Sequence, residues 1–184
     1  MDIILNFLPF IVFAVLAGRI GPAGALALGA AVGLVLAVRS RLKPPYAFDV
    51  LNTGAAILMG GLALYAGVAG GTFSLAAVQF CVNFGLFLIV AVSIAIGRPF
   101  TLAYARQQVD ASVWQHPVFL RTNNRIAGVW AAAFAIMAGT QAVMLFRPEF
   151  PRPLVVALTV LPSFAALAFT VWYPKRVRAA AART

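Results

Sequence analysis

Acidic residues are scarce in this 184-residue chain: Asp2, Asp49, Asp110 and Glu149 are all there are. Each lies in a loop or beside the boundary of an apolar run, so no paired carboxylates are set up for general acid and base work. No Asp, Glu, Lys, Arg or His falls inside a long apolar run, which argues against proton-coupled transport, pumps, acidic ion-channel rings and retinal counter-ions. Cys81 is the one cysteine and His116 the one histidine. An internal disulfide, bis-histidine haem and a histidine-cluster metal site are thereby excluded. No HExxH or Ser–His constellation appears. The expectation is a chain with no catalytic residue, no metal ligands and no cofactor.

Charge of either sign is sparse, at 10% of residues, whereas hydrophobic residues make up 63% and mean hydropathy is +0.97. Soluble domains are about 45–50% apolar and about 25% charged, so this chain belongs with integral membrane proteins. Its net charge of +10 is not a nucleic-acid footprint, because the basic residues punctuate uncharged runs and do not pave one polar face.

Those runs define the expected spans. Uncharged stretches cover 3–18, 20–38, 50–97, 126–146 and 153–174. A spanning helix needs about 20 apolar residues. The stretch 50–97 must therefore hold two helices, broken near Gly67, Gly70 and Gly71. The first two stretches meet at Gly18-Arg19-Ile20-Gly21-Pro22, a turn signal that predicts a tight helical hairpin. The expected fold is an all-α polytopic transmembrane bundle with six spans at about 3–18, 22–38, 50–69, 73–97, 126–146 and 153–174, forming one membrane domain. Residues 98–125 are the substantial cytoplasmic segment.

Basic residues concentrate on cytoplasmic loops. On the six-span arrangement, Arg39, Arg41, Lys43, Arg98, Arg106, Arg121, Arg125, Lys175, Arg176, Arg178 and Arg183 fall on one side. Arg19, Arg147 and Arg152 fall on the other. Eleven against three predicts both termini in the cytoplasm and makes the +10 mainly an orientation signal. Binding of anionic lipid is a secondary reading of the same charge. Met1-Asp2 carries no basic n-region and no cleavage site follows the first span, so a removed signal peptide is not expected.

Helices in lipid associate through small residues and interhelical hydrogen bonds. Ala25, Gly29, Gly33 and Ala37 form one small-residue stripe; Ala77, Cys81 and Gly85 a second; Ala131, Ala135 and Gly139 a third. They predict close packing inside the bundle or, alternatively, a homodimer face. Cys81 is explained by its small size. Pro162, followed by Ser163, predicts a kink in the last span, with a gating hinge as the sharper alternative. Polar side chains form a layer: Gln79, Gln141 and Thr159 each lie about 9 Å from the outer end of their span at 1.5 Å per residue. Asn83 is one turn deeper and Tyr65 is near enough to join. The layer is either a set of interhelical hydrogen bonds or a pocket for a small ligand or lipid headgroup.

The segment 98–125 mixes Phe100, Leu102, Tyr104, Val109, Val113 and Trp114 with Arg106, Gln107, Gln108 and Asp110. That mixture predicts an interfacial helix opened by Pro99 and broken at His116-Pro117, with Asn123 or Asn124 capping the next span. Arg98, Phe100, Tyr104, Arg106, Trp114, Arg121 and Arg125 are candidate contacts for the membrane surface or a membrane-protein partner. His116 has no ligand companions.

With Phe7-Leu8-Pro9-Phe10-Ile11-Val12-Phe13 at its start, Arg98-Pro99-Phe100 before the cytoplasmic segment and Asn124 leading into a helix that bears Trp130, the chain resembles the intracellular septation protein A family of bacterial inner-membrane proteins. The resemblance implies a multi-pass inner-membrane protein that supports envelope synthesis and septation through membrane partners, without a catalytic site. The chain departs from that pattern in its Ala/Gly-rich helices, its hairpin-like start and the stretch from Gly97 to Arg106. Two other classes suit the residues: a small-substrate transporter or substrate-binding subunit of an importer, and an accessory subunit of a larger membrane complex.

Overall fold

The computed structural model describes residues 7–42, 49–68 and 74–181. Helix α1 (Leu8–Ile20) opens with a proline in its first turn and ends at Gly21, whose φ of 82° suits glycine. Pro22 then starts α2 (Pro22–Leu42), so the expected hairpin is present. Helix α3 (Val50–Val68) follows, capped by Asp49, whose Oδ1 accepts the backbone N–H of Asn52 at 3.0 Å. Ser74 caps α4 (Leu75–Ala95) by accepting from the Ala77 N–H at 3.2 Å.

Helix α4 stops at a Schellman turn. Gly97 has φ of 69°; its N–H reaches Ile94 O at 2.9 Å, and the Arg98 N–H reaches Ser93 O at 2.9 Å. The buried Ser93 hydroxyl donates to Val90 O and accepts from the Phe100 N–H. The chain is thus folded back, and no single interfacial helix forms across 98–125. The four-residue α5 (Leu102–Ala105) is followed by two 3₁₀ turns, Arg106–Gln108 and Ala111–Val113. Breaking the segment buries Phe100 and Tyr104, which had been expected at the membrane surface.

Helix α6 (Pro117–Phe146) begins nine residues before the uncharged run does. His116, with Pro117 behind it, caps the helix: its Nδ1 accepts from the Val118 N–H at 3.3 Å. Asn123 is therefore not a cap. It is buried in the helix interior and donates to Phe119 O. Helix α7 (Arg152–Ala181) likewise runs through Pro162 and Pro174 beyond the expected end at 174.

Five helices, α2, α3, α4, α6 and α7, are long and apolar enough to cross a membrane, and α1 is a shorter apolar helix. The architecture is an all-helical membrane bundle. Residues 1–6, which hold the start of the first expected span, and Gly70 and Gly71 lie outside the described residues, while Gly67 is still helical. Each long helix packs on its predecessor, with α4 against α6 across the short segment. The core collects Phe13, Leu26, Leu51, Met59, Leu86, Val90, Trp130 and Phe134.

Candidate functional site

Helices α6 and α7 lie antiparallel, and three side-chain contacts fix their register. Arg125 hydrogen-bonds to the Tyr173 hydroxyl, Trp130 Nε1 donates to Thr170 Oγ1 at 3.0 Å, and Ser163 Oγ meets Met137 Sδ at 3.4 Å. Continued by one more turn, the register brings Gln141 opposite Thr159. Between these helices, α1 and α4 lies a cavity of about 630 Å³, within the range of about 300–1,000 Å³ usual for small-molecule sites.

Four of the five residues of the expected polar layer line this cavity: Gln79, Asn83, Gln141 and Thr159, with Ser163 one turn below. They do not close on each other. The Asn83 amide donates to Gln79 O in its own helix at 2.9 Å, and Ser163 Oγ donates to Thr159 O at 3.2 Å. Among the described residues no hydrogen bond joins any two of the four side chains. Gln141 is 3% exposed, and the Thr159 hydroxyl is buried with no partner. A buried, unpaired hydroxyl costs about 1–3 kcal/mol. The other end of the cavity is aromatic and aliphatic, with Phe7, Phe10, Leu86, Trp130, Phe134 and Leu167. Such a space suits a molecule with an apolar body and a neutral hydrogen-bonding end, since the polar wall carries amides and hydroxyls and no charge.

Tyr65 is not part of it. Near the C-terminal end of α3 it lines a separate recess of about 340 Å³ with Ile20, Ala77 and Cys81. Its depth matches that of the layer, but its direction around the helix does not.

The candidate surface contacts divide similarly. Arg98, Arg121 and Arg125 are exposed, and the Arg125 guanidinium also sits 5.8 Å from the centre of the Tyr173 ring. Arg106 stacks over Trp114 at 5.3 Å. Tyr104 points inward to a group that sequence reasoning missed. Its hydroxyl donates to Asp49 Oδ1 at 2.8 Å, and the Asn52 amide donates to Asp49 Oδ2 at 2.7 Å. Asp49 and Asn52 are almost completely buried. Burial pushes the Tyr104 phenol well above its ordinary value of 10.0; the Asp49 charge and hydrogen bond add to the rise, and Asn52 opposes it. The arrangement ties the start of α3 to α5. The available signal was an Asp directly before an apolar run with Asn three residues on, an N-cap pattern.

No known protein family, curated protein or solved structure matches the chain. Function must therefore be argued from the cavity itself.

Proposed function

We propose that this chain is a non-enzymatic, six-span protein of the bacterial inner membrane, with both termini cytoplasmic, that binds a small neutral amphipathic molecule between α1, α4, α6 and α7. In this reading it works as a small-substrate carrier or as the substrate-binding subunit of an importer. The observation that carries the reading is the Thr159 hydroxyl, buried without a partner at the polar end of a cavity of about 630 Å³. A set of polar groups serving only to hold helices together would be expected to pair with one another. Orientation follows from the distribution of Lys and Arg, eleven against three, which puts the polar end toward the outer leaflet.

A second reading, support of envelope and septation processes through membrane partners, draws on the resemblance of the chain's start and of Arg98-Pro99-Phe100 to the septation protein A family. It has one observation in its favour: only 6% of the apolar window of α7 is buried, against 33% for α6. An accessory subunit of a larger complex would use the same open face.

Purification in mild detergent, with mass spectrometry of what accompanies the protein, separates these readings. The first predicts one small amphipathic molecule per chain, retained about ten-fold less by Thr159→Val, which keeps the volume and removes the hydroxyl. Stoichiometric membrane proteins with no small molecule would overturn it in favour of the second.

A further inference from the structure

Phe7 and Trp130 stack with ring centres 4.4 Å apart and form a wall with a cavity on each side. The cavity not yet assigned, about 470 Å³, lies between the 98–125 segment, the first turns of α6 and the last turns of α7. Its floor is buried and apolar, with Phe100, Ile126 and Trp130. The polar groups buried there are already satisfied by protein. Thr101 donates to Asn123 O at 3.1 Å, Tyr104 donates to Asp49, and Trp130 donates to Thr170. Such a floor has no hydrogen bond to offer and suits hydrocarbon.

The mouth is different. Gln108, His116 and Arg178 line it and are exposed. Because His116 Nδ1 accepts the Val118 N–H, the neutral ring carries its proton on Nε2, a donor. Arg178 adds a guanidinium. Close by, Arg106 Nε and Trp114 Nε1 are two further buried donors without partners. The mouth and its neighbours are thus rich in donors and positive charge.

Among the described residues no carboxylate forms an ion pair with Arg178. Arg147 pairs with Glu149, 3.6 Å apart, in the loop between α6 and α7 at their other ends. Asp49 is enclosed by Asn52 and Tyr104, and the exposed Asp110, held below its ordinary carboxylate range by hydrogen bonds from Ser112, stays charged but makes no ion pair among the described residues. The exposed Arg178 guanidinium is open to an anion from outside.

We propose that this cavity is a binding site for an anionic phospholipid, with an acyl chain against Phe100, Ile126 and Trp130 and the phosphate at Arg178 and His116. A free phosphate would satisfy the mouth and leave the apolar floor without an occupant, and the exposed Trp172, at the same level on another face of α7 and stacked 5.1 Å from Arg176, suits the headgroup level of a bilayer.

The test is native mass spectrometry of the full chain released from mixed micelles with phosphatidylglycerol and phosphatidylcholine of equal chain length. We expect one phosphatidylglycerol retained per chain, at least ten-fold over phosphatidylcholine. Arg178→Gln should abolish that preference, and Val113→Trp, which places bulk at the mouth from an exposed position, should lower retention with unchanged thermal unfolding. Thr159→Val should leave retention unaltered, so this site and the one in the outer half fail independently. Equal retention of the two lipids, or a preference that survives Arg178→Gln, would overturn the proposal. Competition by glycerol phosphate as strong as by the intact lipid would also overturn it, in favour of a free-anion site.

Discussion

Helices α2 and α3 meet backbone to backbone, whereas α6 and α7 are held apart by side chains. On α2 the stripe Ala25, Gly29, Gly33 and Ala37 is buried, and a Cβ at Gly33 would stand 3.2 Å from Asn52 O and 3.3 Å from Ala56 N. A methyl group there would need the opposing backbone to give by a few tenths of an ångström, and the pair gains dispersion contacts along its length. On α6 the comparable stripe runs outward. Ala135 and Gly139 are exposed, and a Cβ at Gly139 meets nothing within 4 Å. Contact with α7 is made instead by Trp130, Met137 and Arg125, large residues that leave space between them. One half is closed by small residues; the other is propped open by large ones and carries the cavities of about 470 and 630 Å³. Identical sequence signals, small residues at spacing four, therefore have opposite consequences, depending on which way the stripe faces.

This contrast can be broken most sharply at Gly33. Gly33→Val should destabilise the protein by about 3 kcal/mol, at the upper end of the usual overpacking range, because the opposing atoms are backbone and cannot rotate away. The readout is the loss of monodisperse protein and a lower thermal midpoint in detergent. Next in size is Asp49→Ala, which removes the acceptor shared by the buried Tyr104 hydroxyl and Asn52 amide and should cost about 2 kcal/mol in the same assay.

A smaller effect depends on pH. Tyr104 has a raised pKa in the fold, so the folded chain binds its proton more tightly than the unfolded chain does. That contribution is complete below the ordinary value of 10.0 and is lost as pH rises above it. Thermal scans from pH 8 to 11 should show a decline beginning near 10 that is weakened in Tyr104→Phe. The smallest effect belongs to the outward stripe: Gly139→Ala should change stability by less than about 0.5 kcal/mol in detergent. A large loss there would mean that the stripe is covered by another copy or a partner.

Much of this was legible in advance. Uncharged runs located the long helices, the Gly21-Pro22 signal located the first turn, and helical depth brought Gln79, Asn83, Gln141 and Thr159 to one level. The rest was hidden for separate physical reasons. Charge marks where a helix leaves the bilayer, not where it ends, so Arg121 and Arg125 concealed the first turns of α6, and Lys175 and Arg176 the last turns of α7. Depth along an axis is readable while direction around it is not, and Tyr65 lines a recess separate from that of the other four. Asp49 was set aside as a boundary residue, but Tyr104, 55 positions away in sequence, closes over it.

The α6–α7 seam holds an open cavity, proposed above as a ligand site, while the α2–α3 seam is closed. Single cysteines in a Cys81→Ala background test it directly: Thr159→Cys on the cavity wall and Ala25→Cys on the closed stripe, each treated with N-ethylmaleimide in the folded protein. The account predicts that Thr159→Cys is modified and is protected by a bound amphipathic molecule, while Ala25→Cys stays unmodified until the chain unfolds. Equal resistance at both positions would contradict it.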